Sequence, residues 1–138
     1  MSLVSVVAAI IRSPDGLLLC AQRGPSMSEA GYWEFPGGKV CAGETEQQAL
    51  VREIEEELNC RITVREHFHT HVHPHAAPTI SLACYFATII DGSPIPLEHQ
   101  ALCWLAQADL TQLDWAPADR PAVQRLVNLS RHAKTEPY

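Results

Sequence analysis

Between Glu44 and Glu57 the chain carries six acidic residues and a single base, Arg52. Within that stretch Leu50, Ile54 and Leu58 recur at a spacing of four, the interval that stacks side chains on one face of an α-helix. Thr45 followed three residues later by Gln48 makes a capping box, so the pattern predicts a helix from Glu46 to Leu58. On such a helix Glu53, Glu56 and Glu57 project to one face while the leucines and Ile54 occupy another. Like charges at these spacings cost about 0.2–0.5 kcal/mol per pair, a cost removed by a divalent cation among them. Clustered hard oxygen ligands suit Mg2+ or Mn2+ better than zinc. A solvated acidic face is the plainer reading of charge alone. The Gly37-Gly38 turn in front, Glu44 at the helix entrance and Arg52 beside the acids favour a built site instead.

At 138 residues and 15.2 kDa the chain has the size of one domain, taken as residues 1–138. With 46% hydrophobic and 19% charged residues it belongs among folded globular chains rather than disordered ones. Two β-rich runs, residues 3–11 and 17–22, are separated by Ser13, Pro14, Asp15 and Gly16, which predicts a hairpin. A loop from Gly24 to Gly31 leads through Trp33, Glu34 and Phe35 to the paired glycines, whose missing side chains permit a close backbone approach. Arg61 to His73 and Thr79 to Ile90 read as a second hairpin with a long tip. Ala101 to Leu105 reads as a short strand, Ala106 to Leu113 as a helical turn or two, and Arg120 to Arg131 as a final helix followed by a frayed end from Lys134 to Tyr138. Strands on both sides of a central helix, with a second helix at the end, make an α+β chain or a sheet sandwiched by helices.

Sixteen acids against ten Lys plus Arg leave a formal charge of -6. Stable nucleic-acid binding is not expected of such a chain, because phosphate contacts need excess base. A small phosphorylated ligand fits if a cation bridges the two anions. The apolar run from Leu3 to Ile11 is too short for a membrane span and has no basic leader, so a cytoplasmic protein, monomer or homodimer, is expected. Cys20, Cys41, Cys60, Cys84 and Cys103 are odd in number and contain no C-x-x-C pair, which favours neither disulfides nor structural zinc. Cys20, Cys84 and Cys103 read as small buried hydrophobes without chemistry. His67, His69, His71, His73 and His75 alternate strictly, and on a regular strand all five share a face. No cysteine or carboxylate pattern completes a tetrahedral site around them, so they stay outside the candidate site.

The segment GKVCAGETEQQALVREIEEELNC resembles the box of the Nudix hydrolase family: Gly38, Glu44, Arg52, Glu53, Ile54, Glu56 and Glu57 match with the family's spacing. Two positions depart from it, Asn59 for a glycine and Cys60 for an aliphatic residue. Asn best replaces Gly in the left-handed conformation that ends a helix, and a cysteine fills a small apolar slot. The opening VSVVAAII, AQR, WEFPGGK, EHQALCW and APAD extend the likeness to the MutT-like subgroup, especially its CTP pyrophosphohydrolase-like members, over residues 3–130. The resemblance implies a Nudix fold, an α/β/α sandwich with a mixed central sheet.

It also implies hydrolysis of a nucleoside triphosphate to the monophosphate and pyrophosphate with Mg2+, Mn2+ being a possible substitute. In that scheme Glu53, Glu56 and Glu57 hold metal, with a backbone carbonyl of Gly37 or Gly38 as a further ligand. Either Glu53 or Glu98 is the general base, and Arg52 orients Glu53. Arg23 meets substrate phosphates, while Glu34 and Phe35 line the nucleoside pocket. Asp119 falls where the MutT enzyme acting on oxidised guanine has Asn. An ionised Asp only accepts hydrogen bonds, which favours the cytosine amino group, whereas a protonated Asp would leave an oxidised purine open. Asp119 as a cap of the last helix is the plainer alternative, and a nucleotide-binding regulator without turnover is the rival of another class.

Overall fold

The computed structural model describes residues 3–74 and 79–135. β1 (Leu3–Ile11) reads LVSVVAAII and is buried without a break from Val7 to Ile11, the pattern of a strand covered on both faces. It lies in the middle of a mixed four-stranded sheet. β4 (Gly37–Lys39) pairs with it antiparallel, β6 (Thr79–Asp91) pairs with it parallel, and β5 (Arg61–His73) closes the far edge antiparallel to β6. A second, antiparallel sheet orders β3 (Trp33–Glu34), β2 (Leu18–Gln22) and β7 (Ala101–Leu105).

Strand alternation divides the core between two helices. Val7, Ala9 and Ile11 of β1, with Ala83, Tyr85 and Ala87 of β6, pack under Leu50, Ile54 and Leu58 of α1 (Glu46–Leu58). Ala8 and Ile10, with Leu82 and Cys84, pack against Ala122, Val123, Leu126 and Val127 of α2 (Arg120–Thr135). The chain is therefore an α+β sandwich with a mixed sheet between helices, as the sequence implied.

Local chemistry sets the ends of α1. The Thr45 side chain accepts from the Gln48 amide and the Gln48 side chain accepts from the Thr45 amide. At the other end Asn59 adopts φ 55°, ψ 40°, the left-handed turn expected of a residue standing in for glycine. Cys60 beside it is 3% exposed within the α1-side core.

Two expectations change, and two short strands are added. The cluster at residues 13–16 does form a turn, with the Gly16 amide on the Ser13 carbonyl, but β1 and β2 belong to different sheets and share only an isolated bridge between Arg12 and Leu18. Parallel β6 takes one whole edge of β1 and β4 takes Val6 to Ala8 on the other, while both edges of β2 are taken by β3 and β7. β3 and β4, which pattern alone did not reveal, are too short for periodicity to show. The histidines do not share one face. Between His67, opposite Tyr85, and His69, opposite Cys84, β5 advances two residues while β6 advances one. That bulge turns His67 toward the α1 side, edge-on to Tyr85, and leaves His69, His71 and His73 on the α2 side, opposite Cys84, Leu82 and Ile80. His75 lies outside the described residues, as do 136–138 of the expected frayed end, and α2 continues to Thr135.

Replacing Asn59 by Val should destabilise the fold by about 1–2 kcal/mol, because a β-branched residue resists the left-handed conformation. Urea unfolding at unchanged m-value measures it.

Candidate active site

Arg52 ties the acidic helix to the loop before it. Its Nε and Nη2 donate to the two oxygens of Glu44 at 2.7 and 2.9 Å, and Nη2 also donates to the Lys39 carbonyl at 3.0 Å. Nη1 reaches Glu53 Oε1 at 2.8 Å and Glu56 Oε2 at 3.3 Å. The planar fork of a guanidinium permits this division of donors, which a lysine ammonium would not. Glu44 accepts from the Cys41 amide as well, and the Arg52 guanidinium, with that amide, holds its carboxyl well below the usual range. Thus Glu44 braces Arg52, and Arg52 braces Glu53.

The two glycines are required for different reasons. A Cβ on Gly37 would stand 1.9 Å from the Val7 carbonyl oxygen of β1. One on Gly38 would stand 2.3 Å from the Glu53 carboxyl. The Glu53 side chain is packed directly against the glycine backbone, which brings the carbonyls of this turn and the helix carboxylates to one place.

A second network lies behind. Glu34, at the end of β3, accepts from Arg23 Nη1 on one oxygen and from His99 Nε2, at 2.8 Å, on the other. Arg23 also donates from Nε and Nη2 to the Ser28 carbonyl and hydroxyl. His99 is 5% exposed and Glu57 7%. With His99 Nε2–H given to Glu34, its Nδ1 faces Glu57 Oε2 at 3.7 Å, and neither atom has a hydrogen-bond partner. Burial, then the neighbouring carboxylates Glu53, Glu34 and Glu98, push the Glu57 carboxyl up to about 9. Ligand atoms of Glu34, Glu57 and His99 lie within 4.8 Å of one another. Two orphaned acceptors in a crowd of acids are what a divalent cation relieves, so the residues present fit such an ion.

A cavity of about 320 Å³ runs from this acidic end to an apolar one. Arg23, Glu34, Phe35, Gly37, Gly38, Glu57 and Asp119 all line it, together with Ile80, Leu82, Ala116 and Ala118. Glu53 adjoins it through Gly38, Glu56 is exposed, and Glu98 lies on the exposed loop before β7, near enough to Glu57 to raise its pKa. The Phe35 ring is core, tilted at 41° against Trp115 with centroids 4.7 Å apart. Its amide donates to Asp119 Oδ2 at 3.0 Å across the cavity wall. Asp119 is therefore not a cap of α2. It is buried, and burial, with Glu34 adding to it, raises its carboxyl well above the usual range. His99 is the residue that sequence reasoning passed over. It sits inside EHQALCW, one position after Glu98, and no spacing distinguishes a buried histidine there from an exposed one.

Acidic helix, glycine turn and connected cavity define a metal-assisted phosphoanhydride hydrolase site of the Nudix type. The NUDIX domain family matches residues 1–126, and the chain belongs to the Nudix hydrolase family. It is 40% identical over 129 residues to the CTP pyrophosphohydrolase of Escherichia coli (strain K12), covering 94% of this chain and 95% of that one. It is 39% identical over 120 residues to the putative 8-oxo-dGTP diphosphatase 2 of Mycobacterium tuberculosis (strain ATCC 25618 / H37Rv), covering 85% and 82%. The solution structure of the E. coli ORF135 protein superposes with a TM-score of 0.84 at 38% identity, covering 99% of this chain and 96% of that one. Nudix hydrolases work with a divalent metal. Among the described residues no helix is long and apolar enough to cross a membrane.

Gly37→Ala should unfold the protein at lower denaturant, since its Cβ meets backbone. Gly38→Ala should leave the unfolding midpoint nearly unchanged while displacing Glu53 and lowering turnover on the order of a hundredfold, the usual result of misplacing a reacting group by an ångström. Urea unfolding and steady-state kinetics of the two variants separate these effects.

Proposed function

We propose that the chain hydrolyses nucleoside triphosphates of the cytoplasmic pool to the monophosphate and pyrophosphate with Mg2+, for which Mn2+ can substitute, preferring cytosine or modified pyrimidine nucleotides. The observation that carries this reading is the single cavity joining the Gly37, Gly38 and Glu57 end to Asp119. Polyphosphate would lie at the first end and the base at the second.

Glu53, Glu56 and Glu57, with a carbonyl of Gly37 or Gly38, would hold the metal. When bound, the cation offsets the charge of the polyphosphate and of the pyrophosphate that leaves. Arg52 keeps Glu53 aimed. Glu53 and Glu98 are the two carboxylates available to take the proton of the attacking water. Arg23, fixed by Glu34 and Ser28, presents positive charge to the phosphates.

Asp119 supplies the base contact, though not as an accept-only carboxylate. Burial favours its neutral form, and a neutral carboxyl both donates and accepts. That pattern matches the ring nitrogen and amino group of cytosine. It also matches the O6 and N7–H edge of an oxidised guanine, which makes hydrolysis of 8-oxo-dGTP the second reading. Likeness to the CTP pyrophosphohydrolase over nearly the whole chain supports the first.

Pyrophosphate release from dCTP, 5-methyl-dCTP, 8-oxo-dGTP and dGTP tests both readings. Fastest release from the cytosine nucleotides, abolished by Glu53→Gln with nucleotide binding retained, is the expected result. Preference for 8-oxo-dGTP would move the assignment to the second reading, and binding without turnover would leave a regulator. Between Glu53→Gln and Glu98→Gln, the variant with the larger loss in kcat at unchanged KM identifies the general base.

Because the neutral acid is the competent form, KM for the preferred triphosphate should rise as pH climbs through the Asp119 pKa. Asp119→Asn keeps one donor and one acceptor, so it should remove that pH dependence at a loss below about tenfold. Asp119→Ala should lose about ten- to hundredfold in kcat/KM, the value of a buried hydrogen-bond pair. Kinetics across the pH range in which the protein stays folded give all three.

A further inference from the structure

We propose that Cys20 and Cys103 form an oxidative modification site, closing under a hydroperoxide to a cross-strand disulfide between β2 and β7. The two residues are directly opposite each other in the β2–β7 register. Opposed residues of antiparallel strands have Cα atoms about 4.5 or 5.5 Å apart, and both separations fall within the range of roughly 4.4–6.8 Å that a disulfide spans. Opposed side chains share a face, and here both thiols enter the α2-side core, Cys20 as a member and Cys103 packed against it. They stand close enough for each to shift the titration of the other. Among the described residues no other two cysteines are register partners: Cys84 lies opposite Ala8 and His69, Cys60 follows the α1 cap, and Cys41 precedes the helix.

The two thiols differ in access. Cys20 is fully buried and Cys103 half-buried, so a small neutral hydroperoxide meets Cys103 first. Its thiol reduces the O–O bond, becoming a sulfenic acid and releasing an alcohol, or water from hydrogen peroxide. The Cys20 sulfur then attacks the sulfenic sulfur and water leaves. Two thiols are oxidised by two electrons and one hydroperoxide is reduced by two. Burial raises both thiols, so little thiolate is present and the exposed Cys41 reacts sooner. The bond is accordingly slow to form and, once inside the core, slow to be reduced. β2 runs into Arg23 and β7 follows His99, and both residues hold Glu34. The crosslink joins the two strands that deliver those partners. None of this depends on which nucleotide the enzyme takes.

The test treats the folded full-length protein with hydrogen peroxide, denatures it, alkylates the remaining thiols and maps the peptides. A Cys20–Cys103 linked peptide, two hydrogens lighter than the free pair and released by dithiothreitol, is expected. In Cys103→Ser the linked peptide should vanish while circular dichroism and the modification of Cys41 persist. The oxidised wild type should also melt higher than the oxidised Cys103→Ser protein. Full alkylation of Cys20 and Cys103 after prolonged exposure to peroxide well beyond complete oxidation of Cys41, with the fold retained, would overturn the proposal. So would Cys103 reaching the sulfinic state without a linked peptide, or Cys20 appearing joined to Cys84.

Discussion

The close approach of β4 to both β1 and α1 is the constraint on which the rest of this molecule depends. Gly37 lies against the Val7 carbonyl and Gly38 against the Glu53 carboxyl, so this edge strand is bare backbone where the sheet meets the helix. Any side chain there would push α1 off the sheet or its carboxylate out of line. Leu50, Ile54 and Leu58 hold the helix on the sheet from its other face, which gives the acids a fixed address.

Electrostatic strain is concentrated at that address and relieved by degrees. Arg52 neutralises Glu44 and Glu53 at the half-exposed edge, where one guanidinium serves several carboxylates. Farther in, Glu34 is satisfied by Arg23 and His99. Glu57 and the remaining nitrogen of His99 are left facing one another without partners. Native proteins seldom keep such a pair without a use for it. The unrelieved acids lie at the end of the cavity where the proposed polyphosphate and its cation would meet, and the buried Asp119 lies at the other. Burial thus raises a carboxyl at each end of the cavity, Glu57 among neighbouring acids and Asp119 beside the Phe35 amide, while Arg52 serves the acids at the exposed edge.

Much of this was legible in the chain. The helix from Glu46 to Leu58, its capping box, the left-handed Asn59 and the apolar Cys60 depend on neighbours a few residues away, and local sequence determines them. The family spacing of Gly38, Glu44, Arg52, Glu53, Glu56 and Glu57 identified the acidic helix for the same reason, since one element carries most of it. The failures have the opposite character. Pairing of β1 with β6, across more than seventy residues, displaced the expected hairpin with β2, and a one-residue bulge in β5 separated His67 from the other histidines.

By itself, then, the sequence determined the longer elements, the acidic helix face, the paired glycines and the family. Only the tertiary structure decided what depends on burial and on contacts between distant segments. It put His99 between Glu34 and Glu57, placed Asp119 on the Phe35 amide eighty-four residues away, and set Cys20 opposite Cys103. Protonation and reactivity follow from desolvation and from neighbours in space. A residue's type and spacing carry neither until the chain has closed around it.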